Sequence, residues 1–245
     1  MKADPGVAVV SGAASGIGLA VARALRSDFD VVGIDLKGGE DDWPLLQVDV
    51  TDRWAVEHAA TEILNQFGPV RVLVNNAGVL TMNRFLDLTD EDWQAVFRVN
   101  VYGVFLVSQV FGRLMANQGG GRIINVASLA GKAPFPDQAH YCAAKAAVIM
   151  LSRVMALELA SMGISVFAVC PGAVDTNLFR YCLEWTAARD GRDPEVVLAE
   201  WLGGSGADRL IQPEEVAALV RFLLTGPTEA MTGDAISIDG GRAQW

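Results

Sequence analysis

Tyr141 and Lys145 stand four residues apart in the run Tyr141-Cys-Ala-Ala-Lys145, and Ser128 precedes Tyr141 by thirteen. On a helix, residues i and i+4 lie one above the other, so the phenol and the ammonium would share a face. A nearby ammonium stabilises phenolate and draws a phenol pKa that starts near about 10 toward working pH. Ser128 can hydrogen-bond the same reacting oxygen. Such a trio moves a proton on and off a substrate oxygen. A Tyr-x-x-x-Lys spacing alone is more often an exposed helical pair, so the rest of the chain must supply the context.

That context begins at the glycine loop Ser11-Gly-Ala-Ala-Ser-Gly-Ile-Gly18. It follows a β-branched run and opens a helical pattern. Gly12, Gly16 and Gly18 let backbone N–H groups approach a pyrophosphate at the positive end of a helix. The spacing is G-x-x-x-G-x-G rather than the commoner G-x-G-x-x-G. Asp35 closes the next strand 17 residues after Gly18, close to the ~20 expected of a carboxylate that accepts from ribose hydroxyls.

The elements that must carry these residues alternate. Strands are predicted at 7–10, 30–34, 45–48, 71–74, 122–126, 164–169 and 235–238. Helices are predicted at 17–26, 53–67, 91–117 (capped by Thr89 or Asp90) and 140–161, with a further one opened by Pro213. Strands alternating with helices imply right-handed βαβ units and a parallel sheet covered on both faces. One doubly wound α/β domain over residues 1–245 is the expectation. The stretch 174–212 reads as irregular, with Tyr181, Trp185, Trp201 and a glycine-rich run at 203–206. A long segment of this kind is expected to form a lid over the site, against the alternative of two surface helices packing their aromatics on the core.

Composition removes other classes. The 245 residues include 19 Lys and Arg against 29 Asp and Glu, a net charge of −10. That balance argues against nucleic acid and anionic membrane surfaces as partners. A hydrophobic share of 51% and a mean hydropathy of +0.30 exclude a disordered chain. No apolar run approaches the ~18–20 residues of a membrane span, and the N-terminus lacks an export signal, so a cytoplasmic protein is expected. Three cysteines (Cys142, Cys170, Cys182) and two histidines (His58, His140) support neither disulfides nor a metal site. The cysteines are expected to be small buried hydrophobes, His58 to be exposed, and His140 to be an ordinary helix-start residue.

Taken together, the chain resembles the short-chain dehydrogenase/reductase family along nearly its whole length. The matching segments are the loop at 12–18, Asp49-Val50, Asn75-Asn-Ala-Gly78, Asn100, Ser128, Tyr141 with Lys145, and Pro171-Gly172. The resemblance implies a seven-stranded sheet ordered 3-2-1-4-5-6-7 that binds NAD(H) or NADP(H). It assigns Gly12, Ser15, Gly16, Ile17 and Gly18 to the cofactor phosphates, and Asp35 and Leu36 to the ribose. Asp49 and Val50 would meet adenine, and Asn76, Ala77 and Gly78 would line the adenosine side. Pro171, Gly172, Val174 and Thr176 would hold the nicotinamide carboxamide. Tyr141 becomes the general acid/base, Lys145 lowers its pKa and binds the nicotinamide ribose, Ser128 positions the substrate oxygen, and Asn100 holds a relay water. By the same similarity the chain would form a homotetramer through the helices 91–117 and 140–161.

Two departures refine the expectation. Ser11 stands where the family usually has Thr, which keeps the hydroxyl. Only residues 36–48 separate Asp35 from Asp49, too few for the helix usually found there; the loop Gly38-Gly-Glu-Asp-Asp42 takes its place. Members with this shortening include dihydrodiol and aldose dehydrogenases, which points toward NAD-dependent oxidation of a cyclic hydroxylated substrate such as a sugar, polyol or dihydrodiol. NADP is disfavoured because Asp35 would face its 2′-phosphate. The alternatives are an NADPH-dependent ketone or 3-oxoacyl-thioester reductase and, from another class, a non-catalytic NAD-binding regulator. Asp137 and Gln138 lie where substrate would pass.

Overall fold

The structure, a computed structural model, describes residues 6–38, 42–203 and 209–242. Its centre is β1 (Val7–Ser11), a run of small and β-branched residues buried at every position. Burial of both faces marks an interior parallel strand. Ala8 and Val10 face one apolar cluster, Val7 and Val9 the other. Around β1 lie β2 (Asp30–Asp35), β3 (Leu45–Gln47), β4 (Val70–Asn75), β5 (Gly121–Val126), β6 (Ile164–Pro171) and β7 (Ala235–Ile238). They form one parallel sheet in the order 3-2-1-4-5-6-7. The order reverses between β1 and β4, and the crevice beyond the carboxyl ends there is where open α/β sheets bind ligands.

Helices α1 (Gly16–Leu25) and α8 (Pro213–Thr225) cover one face, with Val21, Leu25, Val216, Val220 and Leu223 in the first cluster. α2 (Arg53–Phe67) and α4 (Val104–Asn117) cover the other through Val56, Ile63, Leu106 and Phe111. α5 (Ala139–Leu159) packs beside them, on β6. A buried polar ladder ties this second layer together. Asn75 Nδ2 donates to Ser108 Oγ on α4 and to Asn125 Oδ1 on β5, and Asn125 Nδ2 donates to Ser152 Oγ on α5, each at 2.8 Å.

The long helix expected at 91–117 is interrupted. α3 (Asp90–Phe97), capped by Thr89 through the N–H of Asp92, passes into a π-helical segment, Arg98–Gly103, before α4 begins. The cause is Asn100. Its side-chain amide donates to the Val96 carbonyl at 2.9 Å and to Val79 O at 2.7 Å. Val96 O is the acceptor that the Asn100 backbone would use in an α-helix, so the ladder widens by one residue. The stretch Asp90–Asn117 is long and apolar enough to cross a membrane by length and composition, which the absence of an unbroken apolar run did not anticipate. Its apolar side is spent on the sheet: Val104, Leu106, Val107, Phe111 and Met115 are buried there.

Among the described residues no helix lies between β2 and β3, whose register starts with Gly33 opposite Leu45. The acidic run at 38–42 lies outside the described residues except at its ends, where Asp42 pairs with Arg26 at 2.7 Å. The expectation of an irregular 174–212 segment is corrected. It carries two helices, α6 (Asn177–Asp190) and α7 (Pro194–Leu202), packed edge to face through Phe179 and Trp201. Its ends are pinned together by Ile211 N to Ala173 O and Asp175 N to Ile211 O, each 2.9 Å. Of the aromatics there, Trp201 meets Phe179 across the two helices, while Trp185 stacks under Arg189 of its own helix. Residues 204–206 of the glycine run lie outside the described residues.

Candidate active site

A cavity of about 1080 Å³ opens at the carboxyl ends of β1, β2, β4, β5 and β6. The glycine loop forms one end. Gly12 and Gly16 take positive φ of 67° and 55°, and a Cβ on Gly12 would lie 2.8 Å from Asn76 Nδ2 and 2.9 Å from Ala77 Cα. Ser15 is the N-cap of α1, yet its side chain makes no capping bond. The first-turn N–H groups therefore make no bond to the cap side chain, the arrangement that receives a phosphate. Ser11 Oγ accepts from the N–H groups of Asn76 and Ala77 at 3.0 and 3.1 Å, so the Ser-for-Thr departure keeps the loop tied to β4.

Gly18 differs from its expected role. It does not line the cavity; a Cβ there would stand 2.1 Å from Gly12 O. It is the glycine that lets α1 pack against its own turn. Asp35 lines the cavity, its two oxygens accepting from Ala14 N (3.0 Å) and Lys37 N (3.1 Å). Leu36, Asp49, Val50, Asn76, Ala77 and Gly78 continue the wall, with Asp49 accepting from Thr51 N at 2.8 Å. Pro171, Gly172, Val174 and Thr176 close the opposite side. Thr176 also caps α6 by accepting from Phe179 N at 3.3 Å, and it faces Gly16, whose Cβ would meet Thr176 Cγ2 at 3.4 Å.

Asn100, Ser128, Tyr141 and Lys145 converge on this cavity. Ser128 follows β5 and Tyr141 lies in the first turn of α5, the serine hydroxyl close enough to favour the ionised phenol. Lys145 Nζ donates to Val126 O at 2.9 Å and sits 5.5 Å from the Tyr141 ring centre. The expected lowering of the phenol pKa is corrected. Burial pushes Tyr141 well above the ordinary phenol value, with Ser128 pulling it part of the way back. Burial likewise pushes the Lys145 ammonium down to about 8. Dense surroundings penalise both charged forms, and that outweighs the attraction read from helical spacing.

Asn100 Oδ1 is buried without a hydrogen-bond partner. A Cβ on Gly78 would lie 2.7 Å from it and 3.7 Å from Lys145 Nζ, so only glycine leaves this acceptor and the ammonium open to the same small space. An orphaned buried acceptor beside an ammonium fits a water between them. The cradle, the carboxylate at Asp35 and this polar end fit a dinucleotide lying along the cavity.

Besides Asp137 and Gln138, already singled out in the sequence, further wall residues carried no signal there. Asp137 and Gln138 line the cavity, as does Arg189 of α6. Asp137, at φ 63°, is paired with Arg189, which also bonds Asp190 at 2.7 Å and stacks on Trp185. Phe135, Phe179 and Trp201 add apolar wall. His140, expected as an ordinary helix-start residue, is fully buried. His58 is exposed and stacked on Trp54. Cys170 and Cys182 are buried as expected, Cys182 with its thiol raised to about 11 by burial, whereas Cys142 is partly exposed. Among the described residues no cluster of His, Cys, Asp and Glu could hold a metal.

Comparison with known proteins agrees with this geometry. The model of the short chain dehydrogenase family matches residues 6–187. The chain is 38% identical to a 3-oxoacyl-[acyl-carrier-protein] reductase of Synechocystis, over 98% of this chain and 97% of that one. It is 36% identical to an NAD-dependent glycerol dehydrogenase of Listeria innocua, over 96% and 92%. A variant actinorhodin polyketide ketoreductase solved with NADPH superposes with a TM-score of 0.93 at 32% identity, over the whole of both chains. The chain belongs to the short-chain dehydrogenase/reductase family and is an oxidoreductase of the alcohol-dehydrogenase type.

Proposed function

We propose that the chain is a cytoplasmic, NAD-dependent dehydrogenase that interconverts a secondary alcohol and a ketone, with Tyr141 as general acid and base. The observation that carries this is the convergence of Ser128, Tyr141 and Lys145 at one end of a cavity whose other end holds Asp35 and the glycine loop. Bound nicotinamide supplies hydride transfer to or from the substrate carbon. The chain does the rest. The loop at 12–17 holds the phosphates, Asp35 the ribose, and the wall from Asp49 to Gly78 the adenosine half. The Tyr141 hydroxyl gives its proton to the ketone oxygen in reduction, and its phenolate form takes the proton of the alcohol in oxidation. Ser128 hydrogen-bonds the same oxygen and stabilises charge that develops on it. Lys145 holds its ammonium near the phenol, and Asn100 Oδ1 fixes the water through which the proton leaves.

With phenol and ammonium both protonated at neutral pH, the site is loaded to donate a proton; alcohol oxidation gains as pH rises toward and past 8. Apolar walls at Phe135, Phe179 and Trp201, with Arg189 already neutralised by Asp137 and Asp190, suit an uncharged, cyclic hydroxylated substrate closed over by α6 and α7. A non-catalytic regulator has no use for a seated acid/base group. Exposed apolar residues on α4 and α5, Phe105, Met150 and Leu157 among them, support a homotetramer built on those helices.

NAD is favoured over NADP by Asp35, which a 2′-phosphate would meet as a like charge, with Lys37 two residues on as a neighbouring cation. A second reading, an NADPH-dependent ketone or 3-oxoacyl-thioester reductase, is favoured by the similarity to the Synechocystis reductase and the NADPH-bound ketoreductase. The discriminating experiment measures kcat/KM for NAD and NADP across cyclic alcohols, sugars and polyols, and for NADH and NADPH with the matching ketones. NAD preference, relaxed on Asp35→Ala, is the expected result. A preference for NADP by the unaltered protein overturns it.

A further inference from the structure

His140 immediately precedes Tyr141 and has no exposed surface. Its Nε2 lies 2.7 Å from Thr81 Oγ1, in the loop that follows β4. The Asp92 carboxylate, on the first turn of α3, lies near both and accepts from Asn83 Nδ2 at 2.8 Å and Thr89 Oγ1 at 2.9 Å. With Nδ1 buried and unpartnered, a proton there would be an orphaned donor, so Nε2 carries the ring proton and donates to Thr81 Oγ1. This fixes the tautomer. The lone pair left on His140 Nδ1 is buried without a partner, and an unpaired acceptor is easier to tolerate there than an unpaired N–H. A second proton on the ring would put that N–H, and a charge, into the same buried place; burial indeed pulls the His140 pKa down, with Asp92 opposing.

The bond runs from the loop that follows β4 to the residue beside the phenol. Two residues before Thr81, Val79 O is gripped by Asn100. The segment 79–82, whose Val79, Leu80 and Met82 line the cavity, is thus pinned between Asn100 and His140. We propose that His140 is a positioning residue: through Thr81 it locks the first turn of α5, and so the Tyr141 hydroxyl, against the 79–82 wall of the cavity. Resting on Tyr141 as the acid/base group, this assigns a role in turnover to a histidine that touches no reacting atom. A misplacement of about 1 Å at such a group is enough to lower turnover by one to two orders of magnitude.

The test compares Thr81→Val and His140→Leu, which delete the bond with little change of volume, with Thr81→Ser and His140→Gln, which can keep it. Three quantities are read: kcat with the best substrate of the alcohol panel, NADH affinity from quenching of tryptophan fluorescence, and hydrogen–deuterium exchange of peptides covering 79–83 and 139–145. Thr81→Val and His140→Leu should lower kcat by about tenfold or more, leave NADH affinity within twofold, and speed exchange in both peptides. Thr81→Ser and His140→Gln should stay near the parent in all three. Unchanged kcat in both deletion variants, equal losses in the conservative pair, or exchange raised in 139–145 alone would overturn the proposal. Should either deletion variant lose its far-ultraviolet circular dichroism, the other deletion decides. If Tyr141→Phe proves fully active, the acid/base assignment fails, while the exchange pattern still judges the latch itself.

Discussion

Lys145→Met separates a catalytic lysine from a structural one. Lys145 is 4% exposed, and burial lowers its pKa from 10.5 to about 8. At 1.36 kcal/mol per pH unit, holding that charge at pH 7 costs the folded state about 3 kcal/mol. Methionine fills similar space without the charge but abandons the bond to Val126 O, leaving a carbonyl whose loss is worth about 1–3 kcal/mol. The net change at pH 7 lies between about zero and 2 kcal/mol of stabilisation, a rise in Tm of up to roughly 8 °C for a chain of this size. The sign follows from the lowered pKa of a base. The penalty is complete below pH 8, shrinks between 8 and 10.5 as the unfolded chain alone remains protonated, and vanishes above. Any gain from Lys145→Met should therefore be largest at or below pH 8 and fade by about pH 10.5. Over the same range alcohol oxidation should fall by about a hundredfold or more, with loss of any rate increase near pH 8. Thermal scans at pH 7 and 10, paired with initial rates, test both halves. A Tm lowered by more than about 5 °C at pH 7, or turnover within a few-fold of the parent, would refute the reasoning.

Other expectations follow from single contacts. Gly18→Ala places a methyl 2.1 Å from Gly12 O; it should destabilise the chain by about 1–3 kcal/mol and abolish NAD binding, read by calorimetry, because the loop must open. Leu157 is 82% exposed on α5, so Leu157→Glu should leave an isolated subunit intact while shifting light scattering from four chains of 26.1 kDa to a smaller assembly. A monomeric parent protein defeats the assembly proposal. Arg189→Ala frees α6 from Asp137 and should raise substrate KM more than it lowers kcat, and an unchanged KM would remove α6 from the account of closure.

Much of the fold was legible because the chain obeys simple periodicities. The seven β-branched runs became the seven strands, each boundary within two residues, and Thr89 and Pro213 marked their helices. The site was legible where chemistry needs particular residue types at fixed spacing, as at Gly12, Gly16, Asp35, Ser128, Tyr141 and Lys145. Tertiary effects were not. The π segment at Asn100 depends on a side chain stealing the Val96 carbonyl, a competition that apolar periodicity does not register. Gly18 has the spacing of a phosphate contact but packs against Gly12. The phenol and ammonium pKa directions turn on burial, which a spacing of four residues does not report. His140 and Arg189 acquire roles only through partners distant in sequence, Thr81 and Asp137. The helices at 177–202 escaped because their apolar residues face one another and the cavity rather than one continuous core.

The central claim is that Tyr141 moves the proton while the rest of the cavity holds the dinucleotide. Tyr141→Phe removes one oxygen, the one beside Ser128, and leaves the glycine loop and Asp35 untouched. Single-turnover rates and NADH affinity measured on this variant test the claim most directly. A fall in rate of at least about 10²–10⁴-fold, with NADH affinity within a few-fold of the parent, is the predicted result. A variant that turns over as fast as the parent would contradict it.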